Sequence, residues 1–180
     1  MNRRDFFKTG TAAMLATAFP SLSSAWSINQ ARVIKLYNVN TKEKIETPFW
    51  RNGYYDSDGI LRLTKFFRDW RQGEIHNINT DVFEIIYAIQ NELDLNERGL
   101  HLVSGYRSKK TNDALRRANG SRTGVAKRSY HMEGKAADIR SYDVNLRKIY
   151  KAAQRLKEGG VGYYPRSHFV HIDVGNVRYW

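Results

Sequence analysis

Two short segments of the sequence contain five residues that are candidates for metal binding or catalysis. They are His131 and Asp138 in segment 129–138, and His168, His171 and Asp173 in segment 168–173. Two imidazoles and one carboxylate suit Zn2+ and leave a fourth coordination position for water. The bound ion would lower the pKa of that water to about 7, which supplies hydroxide at neutral pH. Spacing alone leaves a structural role for each histidine open.

The first segment contains five residues of a motif, Ser129-x-His131-x-x-Gly134-x-Ala136-x-Asp138. Followed by a histidine on an expected strand, this motif resembles the signature of the M15-type zinc peptidases (LAS metallopeptidases), which cleave peptidoglycan. Five fixed positions within ten residues make it specific. The resemblance implies that His131, Asp138 and His171 bind Zn2+ as the cofactor.

Segment 104–108, Ser-Gly-Tyr-Arg-Ser, resembles another element of the same family, whose arginine faces the carbonyl of the scissile bond. The resemblance implies that Arg107 binds the substrate and stabilises the oxyanion of the tetrahedral intermediate. Ser129 is then expected to orient a metal ligand or the substrate. A surface salt bridge is the alternative for Arg107, and an ordinary turn hydroxyl is the alternative for Ser129.

The general base is the point at which the sequence departs from better-known members of the family. Those enzymes place a Glu, Asp or His two or three residues before the last metal-binding histidine, where this chain has Phe169 and His168. On a regular strand His168 would point away from His171, whereas Asp173 would share its face. A β-bulge would bring His168 back to that face. Asp173 is therefore the favoured base, with an orienting partner of His171 as its alternative role.

Two further segments extend the resemblance to a branch of the family that is exported by the twin-arginine route and was once known only as a domain of unknown function. They are Phe-Val-His-Ile-Asp at 169–173 and Arg-Tyr-Trp at 178–180. This branch includes murein DD- and LD-endopeptidases, which implies hydrolysis of the peptide cross-links of the cell wall. The alternatives are a non-catalytic wall-binding module and a D,D- or L,D-carboxypeptidase that trims stem peptides.

The elements that must position these residues are predicted from hydrophobic periodicity and turn signals. They are a hairpin over 31–50, a helix from 58 to near Gly73, a helix capped by Thr80–Asp81, a strand over 100–105, a polar helix over 110–118, a helix capped by Asp143 and ended by Gly159–Gly160, and two strands within 161–174 broken at Pro165. The sequence predicts a single α+β domain with helices packed on a small antiparallel sheet. The resemblance implies the M15 or hedgehog-like type of this architecture. Tyr163 and Tyr164 are expected in the aromatic core rather than in a substrate groove.

The N-terminal segment is typical of an export signal. Arg3 and Arg4 precede a short apolar stretch over 11–19, and Ser23 and Ala25 offer small residues for cleavage. The arginine pair resembles a twin-arginine signal over 1–25, which would deliver a single domain, 26–180, to the periplasm. A first amphipathic helix of the domain is the alternative. No later apolar stretch has membrane-spanning length, so no span is expected after cleavage.

The composition narrows the classes of cofactor and partner. The 180 residues include no cysteine, which excludes disulfides, iron–sulfur clusters and cysteine-based zinc sites. The formal net charge of +12 favours a polyanionic partner. Because no helix-turn-helix, zinc finger or aromatic RNA-binding motif accompanies the basic residues, we expect no nucleic-acid partner. The expected partners are peptidoglycan stem peptides and cross-links, bound by a monomer.

Overall fold

The computed structural model describes residues 30–118 and 125–180. The strands are β1 (Arg32–Asn38), β2 (Lys44–Arg51), β3 (Tyr54–Tyr55), β4 (Leu100–Ser104), β5 (Ala136–Arg140), β6 (Gly160–Tyr164), β7 (Phe169–Asp173) and β8 (Arg178–Tyr179). The helices are α1 (Ser57–Phe66), α2 (Thr80–Glu92), α3 (Lys109–Ala118) and α4 (Leu146–Leu156), with a short 3-10 helix over Tyr130–Glu133.

The strands form one eight-stranded sheet in the order β3-β2-β1-β4-β5-β7-β6-β8. The α+β prediction is confirmed, and the two predicted strand pairs over 31–50 and 161–174 are present as β1/β2 and β6/β7. The sheet is mostly antiparallel, as expected. Two neighbouring pairs, β1/β4 and β6/β8, are parallel. A parallel neighbour requires a crossover connection, and between β1 and β4 helices α1 and α2 supply it.

Alternation along the strands separates a helix-covered face of the sheet from a more polar face. Leu102 on β4 and Ile139 on β5 belong to the core under α2 and α4. Side chains on adjacent positions point the opposite way, so Asp138 and Arg140 lie on the other face. Asp138 is the register partner of His171 on β7, which places both side chains side by side on this polar face. The face of the sheet opposite α2 and α4 is therefore the one that carries the candidate chemistry.

Helix α1 is shorter than predicted, because it ends at Phe66 and does not reach Gly73. The chain beyond it folds into a turn closed by an antiparallel bridge between Asp69 and Glu74. The buried Asp69 carboxylate accepts hydrogen bonds from the backbone N–H and the hydroxyl of Ser108, at 3.0 and 2.6 Å. This tertiary contact holds Asp69 in the turn, where a continued helix could not place it.

The two later helix caps lie one and two residues away from the predicted positions. Asn79, and not the Thr80–Asp81 pair, caps α2 by accepting a hydrogen bond from the Asp81 N–H. Asn145, and not Asp143, caps α4 in the same way. Asp143 instead donates its backbone N–H to the Ser141 hydroxyl in the preceding turn. Asn and Asp are both good N-caps, so the sequence offered competing candidates.

None of the helices within 30–118 and 125–180 is long and apolar enough to cross a membrane. The predicted export signal over 1–25 lies outside the described residues, as do residues 119–124 of the loop before Ser129. The chain immediately after this loop enters the 3-10 helix and then β5, and these two elements carry two of the three expected metal ligands.

Candidate metal centre

His131, Asp138 and His171 meet on the polar face of the sheet, and one ligand atom from each lies within 4.8 Å of the others. His131 Nε2 lies 3.2 Å from Asp138 Oδ1 and 3.2 Å from His171 Nδ1. His171 Nδ1 lies 2.9 Å from Asp138 Oδ1. The structure therefore brings together all three residues that the family resemblance implied as ligands.

The short 3-10 helix before β5 sets the position of His131. It ends at Gly134, whose φ of +65° lies in the left-handed region that favours glycine. A Cβ at this position would lie 2.0 Å from the Asn77 carbonyl oxygen. Asn79 donates its N–H to the Gly134 carbonyl at 2.9 Å, which ties this turn to the start of α2. The glycine of the motif thus allows the tight turn that brings His131 against Asp138.

Segment 105–107 holds the His131 ring from the other side. His131 Nδ1 donates to the Gly105 carbonyl at 2.7 Å, and the Arg107 N–H donates to the His131 carbonyl at 3.1 Å. Since Nδ1 carries the proton, the lone pair of Nε2 points toward Asp138 and His171. These two residues and His131 are called the cluster below. The His171 ring is held in the opposite sense, with Nε2 donating to Asp173 Oδ2 at 3.0 Å and Nδ1 facing the cluster.

Three potential ligand atoms therefore converge, His131 Nε2, His171 Nδ1 and Asp138 Oδ1, and once His171 Nδ1 is deprotonated each can offer a lone pair to a metal ion. A tetrahedral ion with bonds of about 2.0 Å separates its ligand atoms by about 3.3 Å. The three observed separations of 2.9 to 3.2 Å are close to that value. The donor set of two nitrogens and one oxygen fits a four-coordinate ion with one position left open.

Without a metal ion, the pKa values of the three clustered side chains shift in different directions. Burial raises the pKa of the Asp138 carboxyl, but His131 and His171 outweigh burial and hold that pKa well below its usual range. Burial dominates at His131 and lowers its pKa. At His171 burial also lowers the pKa, but hydrogen bonds to Asp138 and Asp173 outweigh it and raise the pKa to about 9. A metal ion bound here would therefore compete with a proton on His171.

Asp173 lies behind His171, across the ring from Asp138. Its Oδ2 accepts from His171 Nε2 at 3.0 Å and from Arg178 Nη2 at 2.7 Å. Its Oδ1 accepts from Arg178 Nη1 and from the backbone N–H groups of Gly160 and Gly175. The carboxylate is 1% exposed, and five hydrogen bonds occupy it. These contacts favour the orienting alternative for Asp173 over the role of general base.

His168, the other candidate base, is also not brought to the cluster. Strand β7 begins at Phe169, and His168 lies in the preceding turn with a φ of +54°. Its ring stacks on Tyr142 with centroids 5.6 Å apart. Its Nδ1 is buried and has no hydrogen-bond partner among the described residues. The pairing of β7 with β5 is regular from Val170 to Asp173, so the bulge that would redirect His168 is not present there.

Arg107 reaches the cluster from the segment after β4. Its Nη2 lies 3.4 Å from Asp138 Oδ2 and 3.3 Å from the Ser104 hydroxyl. The side chain is almost fully buried, yet its Nε has no acceptor within the described part of the chain. The surface salt bridge considered for Arg107 is therefore wrong. Ser129 is buried at the start of the 3-10 helix and makes no capping hydrogen bond there.

A cavity of about 420 Å3 opens in front of the three ligands, and both Arg107 and Ser129 line it. Four aromatic residues form part of its wall: Tyr130, Tyr164, Phe169 and Trp180. Trp180 Nε1 donates to the Tyr164 hydroxyl at 2.8 Å, and its ring lies 5.6 Å from that of His171. The core position expected for Tyr164 is therefore wrong, whereas Tyr163 packs on Tyr150 at the edge of the core. Alternation along β6 is the signal that separates the two tyrosines.

Four arginines of the cavity wall come from distant parts of the chain: Arg71, Arg107, Arg128 and Arg178. Arg107 is the only one of them to which the sequence assigns a role in the site. The only carboxylate among the described lining residues is Asp138. The cavity is thus a cationic cleft with a candidate metal site at its floor and a partly aromatic wall.

The chain is similar along nearly its whole length to a described protein family and to named relatives. A family model described as peptidoglycan L,D-endopeptidase MepK matches residues 26–180. The protein of Escherichia coli strain K12 named peptidoglycan L,D-endopeptidase MepK is 39% identical over 180 residues, covering 99% of this chain and 97% of that protein. A Haemophilus influenzae protein named probable peptidoglycan L,D-endopeptidase MepK is 36% identical, covering 99% and 95%. No solved structure matches the chain.

Proposed function

Because the chain belongs to the peptidoglycan L,D-endopeptidase MepK family of M15-type peptidases, we propose that it is a hydrolase that cleaves peptide cross-links of peptidoglycan. The convergence of three ligand lone pairs, from His131, Asp138 and His171, at the floor of an open cavity is the observation that carries this proposal. A wall-binding module would need the cavity, but it would have no use for an open coordination position aimed into it.

We infer that the cofactor is Zn2+. Two imidazoles and one carboxylate are a common ligand set of catalytic zinc peptidases, and the absence of cysteine leaves no thiolate alternative. When bound, zinc supplies hydroxide at neutral pH and polarises the scissile carbonyl. The hydrogen bonds from His131 to Gly105 and from His171 to Asp173 orient both rings for this role and select the tautomer that binds.

Arg107 is assigned to the developing negative charge of the substrate oxygen. Its guanidinium is already in place beside Asp138, and its Nε lacks an acceptor among the described residues. A preorganised cation in a site with little water stabilises an oxyanion without reorganising during the reaction. Ser129, which lines the same cavity, is assigned to positioning of the substrate.

Tyr164 is assigned to proton transfer, since neither Asp173 nor His168 faces the cavity. Its hydroxyl oxygen accepts a hydrogen bond from Trp180 Nε1, which leaves its own O–H free to donate. A donor in the cavity wall can deliver a proton to the leaving amine. Tyr164→Phe keeps the ring and removes this proton, so it should slow turnover while zinc content stays unchanged.

Digestion of purified sacculi tests the proposed activity. The zinc-loaded protein is incubated with sacculi, and the released muropeptides are separated by chromatography and identified by mass spectrometry. We expect cross-linked dimers to disappear with the wild type and to persist with His131→Ala. Dimers that persist with both proteins would overturn the proposal. Shortened monomers beside intact dimers would instead identify a carboxypeptidase.

We propose that the chain reaches the periplasm through its Arg3–Arg4 signal and is cleaved near Ala25. Support comes from the names of the relatives, which place their substrate in the cell wall. Replacing both arginines by lysine should leave a precursor in the cytoplasm, which cell fractionation with an antibody would detect. Normal export of that variant would contradict the proposal. The monomeric state stays a prediction.

A further inference from the structure

We propose that Arg71 and Arg128 form a carboxylate-binding site at the rim of the metal cavity, which selects peptides with a free carboxylate next to the scissile bond. The inference deepens the proposed function and rests on it for the position of that bond. Both arginines line the cavity of the three ligands, and both are solvent-exposed. Neither arginine contacts His131, Asp138 or His171 through a hydrogen bond or an ion pair.

The four arginines of the cavity divide into two that have carboxylate partners and two that have none. Arg178 forms two hydrogen bonds with Asp173, and Arg107 pairs with Asp138. The guanidinium groups of Arg71 and Arg128 form no hydrogen bond or ion pair within 30–118 and 125–180. Arg71 and Arg128 therefore add positive charge to the cavity. Its one described carboxylate, Asp138, already contacts Arg107, His131 and His171.

The surroundings of Arg71 show that this charge is available to a ligand. Its guanidinium lies over the Trp70 ring, 4.2 Å from the centroid. Asp69, two residues earlier, directs its oxygens to Ser108 and to the backbone N–H of Arg71, and not to the guanidinium. A guanidinium held on an aromatic face keeps its N–H edges free for an incoming acceptor.

The region around Arg128 is equally poor in acidic groups. Arg128 follows directly on Lys127 and precedes Ser129 at the start of the 3-10 helix. The sequence from 119 to 128 contains no Asp or Glu. Arg128 therefore has no carboxylate among its sequence neighbours, and the structure shows none from elsewhere in the described chain.

The chemistry of the substrate class supplies the missing anion. The amine of an L,D bond belongs to a D-configured amino-acid centre, and the same carbon carries a carboxyl group. When that group is not in a further peptide bond, a carboxylate lies within a few bonds of the scissile nitrogen. Guanidinium groups bind carboxylates through two parallel hydrogen bonds, which makes arginine the suitable residue here. A carboxamide at this position would lose the charge and one acceptor.

Equilibrium binding of uncleavable peptides tests this site without requiring turnover. Two ketomethylene isosteres of an L,D-linked peptide are compared, one with the free carboxylate and one with the carboxamide. Calorimetry measures their affinity for the zinc-loaded wild type, for Arg71→Gln, Arg128→Gln and the double variant. Arg62→Gln, which removes an exposed arginine of α1 outside the cavity, is the matched control.

We expect the wild type and Arg62→Gln to prefer the carboxylate isostere by about tenfold or more. Each single variant should reduce that preference, and the double variant should bind both isosteres equally. Equal binding by the wild type, or an unchanged preference in the double variant, would overturn the inference. Carboxylate preference together with intact cross-links in digested sacculi would leave this site standing and refute the proposed activity.

Discussion

Arg178 binds Asp173 through two hydrogen bonds, from Nη2 to Oδ2 at 2.7 Å and from Nη1 to Oδ1 at 3.0 Å. Asp173 Oδ2 also accepts from His171 Nε2 at 3.0 Å. The guanidinium lies between two rings, 5.4 Å from the Tyr130 centroid and 5.1 Å from that of Trp180. Arg178 is thus connected through one carboxylate to His171, a proposed metal ligand.

Replacing Arg178 should therefore weaken metal binding. Arg178→Gln leaves Asp173 with less charge compensation and frees the His171 ring to rotate, so we expect zinc affinity to fall about tenfold. Arg178→Lys keeps the positive charge but loses the two parallel hydrogen bonds to Asp173. Its zinc affinity should therefore lie between those of the wild type and Arg178→Gln. Competition with a fluorescent chelator measures both. Arg155→Gln, which breaks a surface ion pair with Glu92, is the control, and an unchanged affinity in Arg178→Gln would contradict this role.

Asp138→Asn should abolish stable metal binding, because it keeps the shape of the side chain and removes the anionic ligand. We expect the wild type to purify with about one zinc per chain and the variant with little, by elemental analysis. Asp113→Asn removes an exposed carboxylate on α3 that pairs with Lys109 and should retain the metal. Full zinc occupancy in Asp138→Asn would show that Asp138 is not a ligand.

Arg107→Gln should lower kcat about a hundredfold or more, since it removes the cation assigned to the oxyanion. Zinc content should stay at the wild-type level, because Arg107 touches Asp138 only through Oδ2, and Oδ1 faces the two histidines. Kinetics on a soluble cross-linked peptide, with elemental analysis of the same preparation, separate the two effects. A loss of activity that follows a loss of zinc would assign Arg107 to the metal site instead.

Zinc affinity should depend on pH through His171. Its pKa in the metal-free protein is raised to about 9, so below that pH zinc displaces a proton. Affinity should rise about tenfold for each pH unit up to about pH 9 and then level off. Calorimetry at pH 8 in buffers of different ionisation enthalpy should report the release of about one proton per zinc. No proton release would contradict the protonated state of His171.

The raised pKa of His171 also affects the stability of the metal-free protein. A folded-state pKa above the unfolded value of 6.5 stabilises the fold fully below pH 6.5. This stabilisation is lost as the pH rises from 6.5 through about 9. Urea unfolding in the presence of a chelator should therefore show a decreasing free energy of unfolding over that range, and Asp138→Asn should flatten the slope.

Gly134→Ala should destabilise the fold more than a substitution at another left-handed glycine. Gly134 and Gly73 have φ values of +65° and +68°, but only at Gly134 does an added Cβ meet a backbone oxygen, that of Asn77 at 2.0 Å. We expect the free energy of unfolding to fall about 2 kcal/mol further in Gly134→Ala than in Gly73→Ala. Urea unfolding measures both, and equal losses would show that the turn adapts to the added group.

Several features of the site could be predicted because they depend on neighbours in the sequence. The motif around His131 and Asp138 predicted two residues that the fold brings together with His171, and alternation on β7 placed His171 and Asp173 on one face. Local patterns gave the wrong helix cap where two capping residues lie within a few positions of each other, as Asp143 and Asn145 do before α4. They also failed at the end of α1, where apolar spacing continues but a tertiary contact ends the helix.

The sequence by itself determined the ligand types, the strands that carry them and the class of fold, because residue chemistry and period-two alternation are local properties. Only the tertiary structure decided that Asp173 lies behind His171 and not in front of it, because the hydrogen bonds from Arg178 and Gly160 come from other parts of the chain. It also decided which charges share the cavity. Arg71 and Arg128 stand 57 positions apart in the sequence, and packing of the chain alone brings both to the wall of the same cavity.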